Sequence, residues 1–525
     1  MSKKKNILFI MADQLRFDFL GCTGHPSIKT PNIDWLAQQG VNFTNAYCQS
    51  AVCGPSRMSF YTGRYMFTHG GTYNNIPIRV DERTMGDHLR PLGYRVGLVG
   101  KTHFRRDVDG MEKLGISPES DLGLLVSESG FEPWERDDGL HPDQSVDPDL
   151  PYNRYLREKG YDGENPWHSV ANSAENEHGE ILSGWSMRNV NRPARVDQLH
   201  SETAYMTDRA IEVIEKLDHQ PWCMHLSYIK PHWPYMAPSP YNAMYSKMDV
   251  LPAIRDLMEL EQRHPVVEAF AQHEESINFS RQDCRETVIP AYMGLITELD
   301  YHIGRLIDFL RVSNLLENTV IVLTSDHGDY LGDHWLGEKE LFFESAIKIP
   351  MIVVDPSSSS DPTRGTRVDE FAESIDLLPT FMELGGCSQL PDHWLEGRSL
   401  VPLMRGRTNL DWRDAVFCES DYAMRHARNS LSRKADECRA FMVRNKRWKY
   451  VFFDGFGPQL FDLDNDPLEF KDLGSNPDYI EVREALFKRL FKWMSQRKLR
   501  TTLSNQEIAG RTGSNKKRGY FFGVW

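Results

Sequence analysis

The chain has 525 residues, more than one ordinary core serves, so the length predicts two domains or one large α/β domain with an appendage. With 40% hydrophobic and 26% charged residues it is not a disordered chain. A formal net charge of -14 argues against nucleic acid or an anionic membrane as the main partner, yet permits a small anionic substrate at a locally positive site. Lys3, Lys4 and Lys5 precede an apolar run at residues 7–11, but the run is too short for a signal peptide and Asp13 closes it, so it reads as a first buried strand. Further apolar runs at 96–99, 223–227, 320–324 and 351–354 read as buried parallel strands. Between them, residues 201–217 read as a helix. Met293, Ile296, Leu299, Ile303, Ile307 and Leu310 recur at helical spacing in another. Strands alternating with helices imply a layered α/β domain.

Residues 104–196 lack clear periodicity and are rich in Pro, Gly, Asp and Asn, which predicts a long irregular insertion serving as part of the substrate wall. Past residue 400 the pattern changes to short antiparallel strands at 415–419, 440–443 and 448–453, then a terminal helix over 477–498. The expected division is 1–400 and 401–525. Tyr520, Phe521, Phe522, Val524 and Trp525 are too apolar for a free tail and predict docking, on this chain or a sister subunit. No run is long and apolar enough to cross a bilayer. The 8 cysteines form no C-x-x-C pair, a usage expected of reduced thiols in a cytoplasmic protein.

Polar residues collect where strands end. Asp13 follows the first run, and Asp326 and His327 follow the run ending at Thr324. In open α/β sheets such ends gather ligands. Lys101 and His103 follow the strand at 96–99, and Lys230–Pro231–His232 follows the one at 223–227. Each alone is better read as a turn or solvated surface residue. Lys339 sits between Glu338 and Glu340, which makes a plain salt bridge its competing reading, and Asn74 is as well explained by a turn as by substrate contact. Cys53–Gly54–Pro55–Ser56–Arg57, followed by Thr62–Gly63–Arg64, is the most distinctive stretch. Taken alone, Cys53 would be a small buried hydrophobe.

The Cys53-x-Pro55-x-Arg57 pattern with its Thr-Gly-Arg extension resembles the sulfatase signature, in which the cysteine is oxidised to formylglycine. The resemblance covers nearly the whole chain, including residues 6–64, 320–333 and 461–467. It implies an alkaline-phosphatase-like α/β sandwich: a large, mostly parallel central sheet between helices, plus a smaller C-terminal antiparallel sheet with a helix. It also implies a mechanism. The aldehyde hydrates to a geminal diol, one hydroxyl attacks sulfur or phosphorus with help from a divalent ion, and the other later expels the anion. The implied metal ligands are Asp13, Gln14, position 53, Asp326 and His327. Arg57 would hold the diol, Lys101 and Lys339 would clamp the anion, His103 would contact the diol, and His232 would protonate the leaving oxygen. Lys230 and Asn74 would contact substrate.

Two departures shape the expected specificity. Sulfatases often carry Asp where this chain has Gln14 and Asn where it has His327, which shifts the expected ion from Ca2+ toward Mn2+. The stretch from Lys230 to Tyr245 is similar to phosphonate monoester hydrolases, but Lys101-x-His103 is the element of ordinary sulfatases. The expected activity is therefore arylsulfatase-like cleavage of sulfate monoesters, promiscuous toward phosphonate and phosphate esters, with a phosphonate monoester hydrolase as the alternative. A non-catalytic anion-binding protein is disfavoured by the joint presence of nucleophile, ligands and cations, and a phosphate transferase would want Ser or Thr at position 53. A formylglycine-generating enzyme is an implied partner, and a homo-oligomer is expected. Trp134 and Trp167 are candidates for an aryl pocket, though core packing is the favoured reading of either.

Overall fold

The computed structural model describes residues 4–147, 149–217, 220–407, 410–521 and 523. Its centre is a sheet of eight strands: β1 (Asn6–Asp13), β2 (Val41–Phe43), β3 (Arg95–Gly100), β4 (Glu132–Arg136), β5 (Trp222–Pro231), β6 (Thr319–Ser325), β7 (Met351–Val354) and β8 (Thr366–Val368). They lie in the order β8-β2-β7-β6-β1-β5-β3-β4. β4, β3, β5, β1 and β6 pair in parallel. β7 is antiparallel to both its neighbours, so the strand expected at 351–354 is present but runs against the rest. A strand buried on both faces is apolar throughout in either direction, so its letters carry no sign of its sense.

Alternation along the strands builds two cores. Ile7, Phe9 and Met11 face one, with Leu98, Val322 and Val353, while Leu8, Ile10 and Ala12 face the other, with Leu226, Leu323 and Ile352. The second core is closed by α2 (Glu202–Lys216) and α3 (Gln282–Val312), after α1 (Cys53–Thr62) has packed into the first. Ser201 starts α2 by accepting from the Ala204 amide. The stripe from Met293 to Leu310 is buried along α3, as its spacing predicts.

The insertion at 104–196 departs from the irregular reading, because it sends β4 into the sheet as an edge strand. Its sequence, Glu132–Pro133–Trp134–Glu135–Arg136, hides this. An edge strand tolerates proline and charge that an inner strand excludes. Beyond residue 400, β9 (Ala415–Asp421), β10 (Arg439–Asn445), β11 (Trp448–Phe453) and β12 (Gln459–Asp462) form an antiparallel meander. Phe441 and Val443 face α4 (Ile480–Ser495) and its Leu486, Leu490 and Trp493. Ala440 and Met442 face the same core as Ile7 and Phe9. Tyr520 and Phe521 are exposed, and the rest of the expected docked tail, Phe522, Val524 and Trp525, lies outside the described residues. No helix among the described residues is long and apolar enough to cross a membrane. The 8 cysteines are free.

Candidate active site

The carboxyl ends of four parallel strands and the start of one helix meet at a single point. Asp13 ends β1, Asp326 and His327 follow β6, Lys101 and His103 follow β3, and His232 follows β5. Cys53 opens α1 and Arg57 lies one turn on, so both project toward the same strand ends. Pro55 fits the first turn, where no amide hydrogen is needed. The amide of Gly54 donates to Asn74 Oδ1 at 2.7 Å, so the Asn74 carbonyl caps this helix from outside. Gly100 has φ 108° and lies against the Ser227 carbonyl, where a Cβ would be 2.0 Å from the oxygen. That turn lets the Lys101 amide donate to Ser227 while its side chain enters the site.

Asp13, Cys53, Asp326 and His327 each offer a ligand atom, and these atoms lie within 4.8 Å of one another. All four residues are buried. Cys53 Sγ is 3.2 Å from His327 Nε2 and 3.7 Å from Asp13 Oδ1. His327 donates from Nδ1 to the Gly328 carbonyl at 2.8 Å, which turns Nε2 toward the cluster. Two carboxylates, one imidazole and an oxygen at position 53 form a donor set that fits a divalent ion. Cys53 Sγ stands here for the diol oxygens that formylglycine would present.

Cations lock the two carboxylates in place. Arg57 donates through Nε to Asp326 Oδ2 at 2.9 Å and through Nη2 to Asp13 Oδ2 at 3.0 Å. Its Nη1 reaches the Lys101 carbonyl and Ser227 Oγ. Lys101 Nζ is 2.6 Å from Asp13 Oδ2. Burial and Cys53 would raise the Asp13 carboxyl, but Lys101, His232 and Arg57 hold it well below the usual carboxylate range. Burial would likewise raise the Cys53 thiol, but Lys339, Lys101 and His327 pull it far down, the mark of a site built for an anion at this atom. Burial lowers His327, yet Asp326 and Cys53 outweigh it and push the free imidazole up to about 9.

Lys339 and His232 share the opposite wall. Lys339 Nζ donates to Gln14 Oε1 at 3.0 Å and to His232 Nε2 at 3.1 Å. His232 Nδ1 faces the Trp233 carbonyl at 2.8 Å and must donate to it, which leaves Nε2 as the acceptor. Burial, then Lys339, holds His232 down to about 3, so in the free site the proton belongs to Lys339 and the imidazole is neutral. Gln14 sits beside the ligand cluster with its amide engaged at both ends, the nitrogen donating to Asp329. His103 is held by its own amide, which donates to Asp138 Oδ1 at 2.9 Å.

Gln14, His103, Glu338 and Glu340 all have positive φ, at 64°, 52°, 64° and 80°. Left-handed backbone costs a non-glycine residue about 1 kcal/mol or more, and two of these four flank Lys339 in the chain.

Lys230 is not brought to this point. Its ammonium donates to Asn172 Oδ1 at 2.9 Å and to the Pro234 carbonyl at 2.7 Å, and lies 3.8 Å from Glu202. The substrate contact expected of it gives way to anchoring of the loop that carries His232. Trp134 lies over Gly97 at the sheet edge, and Trp167 is fully buried with its indole donating to Glu202, so neither lines an aryl pocket. Two other indoles lie nearer the cluster: Trp233 packs on His232 and meets Trp185 edge-on at 5.6 Å. Asp138, Asp329 and Glu338 are further participants the sequence did not mark; Glu338 accepts from the Trp233 indole. The only signal for Asp329 was its place three residues after Asp326.

The sulfatase family model matches residues 5–387, and a model described as N-sulphoglucosamine sulphohydrolase, C-terminal, matches residues 332–496. The chain is 30% identical to the multifunctional alkaline phosphatase superfamily protein PehA of Trinickia caryophylli, over 93% of this chain and 95% of the relative. It is 28% identical to an arylsulfatase of Clostridium perfringens, over 97% and 98% of the two chains. Among solved structures, the phosphonate monoester hydrolase of Agrobacterium radiobacter superposes with a TM-score of 0.80 at 28% identity, covering 94% of this chain and 96% of that one. The phosphonate monoester hydrolase SpPMH of Silicibacter pomeroyi gives 0.82 at 27% identity, covering 95% and 96%. With its nucleophile position, ligand cluster and fold in agreement over that length, the chain belongs to the sulfatase family of hydrolases, within the alkaline phosphatase superfamily.

Proposed function

We propose that this hydrolase cleaves sulfate monoesters in the manner of an arylsulfatase, with formylglycine derived from Cys53 as nucleophile and one divalent ion held by Asp13, Asp326 and His327. The observation that carries the reading is the convergence of those three side chains with Cys53 inside 4.8 Å, at the ends of strands far apart in the chain. When bound, the ion would supply Lewis acidity and the oxidised residue 53 a diol in place of the thiol. The protein's own residues do the rest. Arg57 fixes both carboxylates and faces position 53, so positive charge is in place before the anion arrives. Lys101 and Lys339 flank position 53 from two sides and suit the spread charge of a transferring sulfuryl group. His103 and His232 lie within reach of Cys53. Because Lys339 holds the proton against His232 Nε2, the pair can pass a proton to a leaving oxygen without a charged imidazole in the resting site. Trp233 and Trp185 offer an aromatic wall beside that oxygen for an aryl group.

Cleavage of phosphonate monoesters is a second reading, supported by the overall likeness to two phosphonate monoester hydrolases. The paired cations Lys101 and Lys339 favour the sulfate ester as the better substrate. Kinetics on matched aryl sulfate and aryl phosphonate esters decide the order: kcat/KM is expected to be higher for the sulfate, and a far higher value for the phosphonate reverses it. Intact mass of the Cys53 peptide checks the nucleophile. A mass loss matching thiol-to-aldehyde conversion is expected in active protein, and an active preparation wholly unmodified at Cys53 refutes it. The nitrogen ligand and the neutral Gln14, proposed as a further ligand, support Mn2+ over Ca2+. Eight free cysteines support a reducing, cytoplasmic location, and the aldehyde requires a formylglycine-generating enzyme as partner. A domain boundary near residue 400 and a homo-oligomeric state complete the reading.

A further inference from the structure

Helix α4 buries Leu486, Leu490 and Trp493 against the C-terminal sheet, yet it carries a second apolar stripe. Ile480, Phe487, Phe491 and Met494 are 52%, 45%, 65% and 39% exposed. At 3.6 residues per turn these four fall within about 60° of one another, and their centre is turned about 100° from the buried face. Phe452 of β11 lies beside the stripe, its ring centroid 6.0 Å from Phe487. Two phenylalanines left to solvent on one regular helix are a costly surface unless something covers them.

The spacing and the charges say what does. Ile480 and Met494 lie seven residues before and after Phe487, so the stripe is symmetric about that residue. One polar flank of the stripe carries Glu481 and Glu484 in the first half of the helix and Lys488 and Lys492 in the second, all exposed. An antiparallel copy, related by a twofold axis through Phe487, sets Glu481 and Glu484 beside Lys492 and Lys488 of the second copy, with axial offsets of about 1.5 and 3 Å at 1.5 Å per residue. It also sets Ile480 against Met494 and Phe487 against itself. That is an isologous contact, in which each patch is its own complement.

We propose that α4 is a homodimer interface, in which two copies of this chain pair antiparallel through the stripe Ile480–Phe487–Phe491–Met494. The contact lies on the C-terminal sheet, away from Cys53, so dimerisation leaves the chemistry of the site unchanged.

Sedimentation velocity and cross-linking of the full-length protein test this. Wild type is expected to sediment as a dimer or higher even-numbered assembly, and Phe487→Glu with Phe491→Glu to drop one association step, retaining turnover as evidence of folding. Lys488→Glu weakens association, and Glu484→Lys combined with Lys488→Glu restores it, because both signs are then exchanged in each copy. Under mild oxidation Phe487→Cys is expected to give a disulfide-linked dimer, since residue 487 faces itself, whereas Glu481→Cys gives no more cross-link than wild type. A monomeric wild type at micromolar concentration overturns the proposal, as does assembly unaffected by the paired glutamates. Equal cross-linking at 481 and 487 overturns the antiparallel register.

Discussion

Two ionisable residues lie at the end of strand β5, Lys230 within it and His232 just past it, and they meet opposite fates. His232 reaches into the cluster around Cys53, while Lys230, two positions earlier, enters a sealed pocket with Glu202 and Glu298. Both clusters are buried and both mix charges. They differ in balance. Around Cys53 each carboxylate already has its cation: Asp13 has Arg57 and Lys101, and Asp326 has Arg57. A divalent ion held there would leave the site with an excess of positive charge, suited to an anion. Around Lys230 one ammonium faces two buried carboxyl groups, with a cavity of about 10 Å³, room for about one water. Burial pushes Glu298 up to about 7 there, so the pocket settles its charge by keeping a proton rather than by recruiting a ligand. The first arrangement suits binding, the second the holding of a loop.

The largest effect expected of this contrast is at position 53. Cys53→Ala removes the nucleophile's precursor and should lower kcat by on the order of 10⁴-fold or more, with the circular dichroism spectrum and melting curve little changed. Substantial turnover in a purified Cys53→Ala protein ends the assignment. Next is the ion. Dialysis against a chelator should abolish turnover, and Mn2+ should restore it better than Ca2+, followed by metal analysis of the active protein. The fold should persist, because Arg57 and Lys101 still neutralise Asp13 and Asp326, and Tm should fall only by the lost binding energy.

The two lysines give the most direct comparison. Lys339→Ala should cost about 10²- to 10³-fold in kcat/KM, the scale of a lost transition-state clamp. Its effect on stability should be small, since the neighbouring Glu338, pushed up to about 7 by burial, can take a proton once the ammonium is gone. Lys230→Met should do the reverse. Breaking a buried pair costs about 3 kcal/mol of stability, while kcat falls less than about tenfold through a looser His232. Urea titration and steady-state kinetics on both variants read the two axes. If Lys230→Met instead raised KM steeply at unchanged stability, Lys230 would be a substrate contact after all.

These two residues also mark how far the letters alone could go. The five apolar runs were readable from their length and composition, the strand-end acids from their position, and the Cys53 stretch only through its resemblance to the sulfatase signature. The direction of Met351–Val354 was not readable, because a doubly buried strand is apolar either way. Nor was Lys230. Alternation decides which face a residue takes inside a strand, but it lapses where β5 ends at Pro231, and only the Asn172 and Pro234 oxygens reveal the side chosen. Asp138, Asp329 and Glu338 act through tertiary hydrogen bonds to residues 35 or more positions away, a relation no local pattern encodes. That Trp233 and Trp185, and not Trp134 or Trp167, lie beside His232 was hidden for the same reason: an indole's surroundings depend on what the fold lays next to it.

The smallest effect is the sharpest test of the sealed pocket. Burial raises the Glu298 carboxyl from its ordinary 4.5 to about 7, against the pull of Ser201 and Lys230. A group whose folded value is raised contributes its stability in full below the unfolded value and loses it as pH climbs through the folded one. Between pH 4.5 and 7 the wild-type chain should therefore pay progressively for ionising Glu298 in its pocket. Glu298→Gln keeps the shape and carries no charge to bury, so its unfolding free energy from urea titration should exceed the wild type's most clearly at pH 8, by on the order of 3 kcal/mol, and the difference should shrink toward pH 5. The same substitution should leave the pH profile of kcat/KM unmoved, because Glu298 sits on α3 behind Lys230 and touches none of the residues around Cys53. A shifted kinetic profile with an unshifted stability profile would mean that the two clusters exchange protons, and the division between a binding site and a holding site would fail at that point.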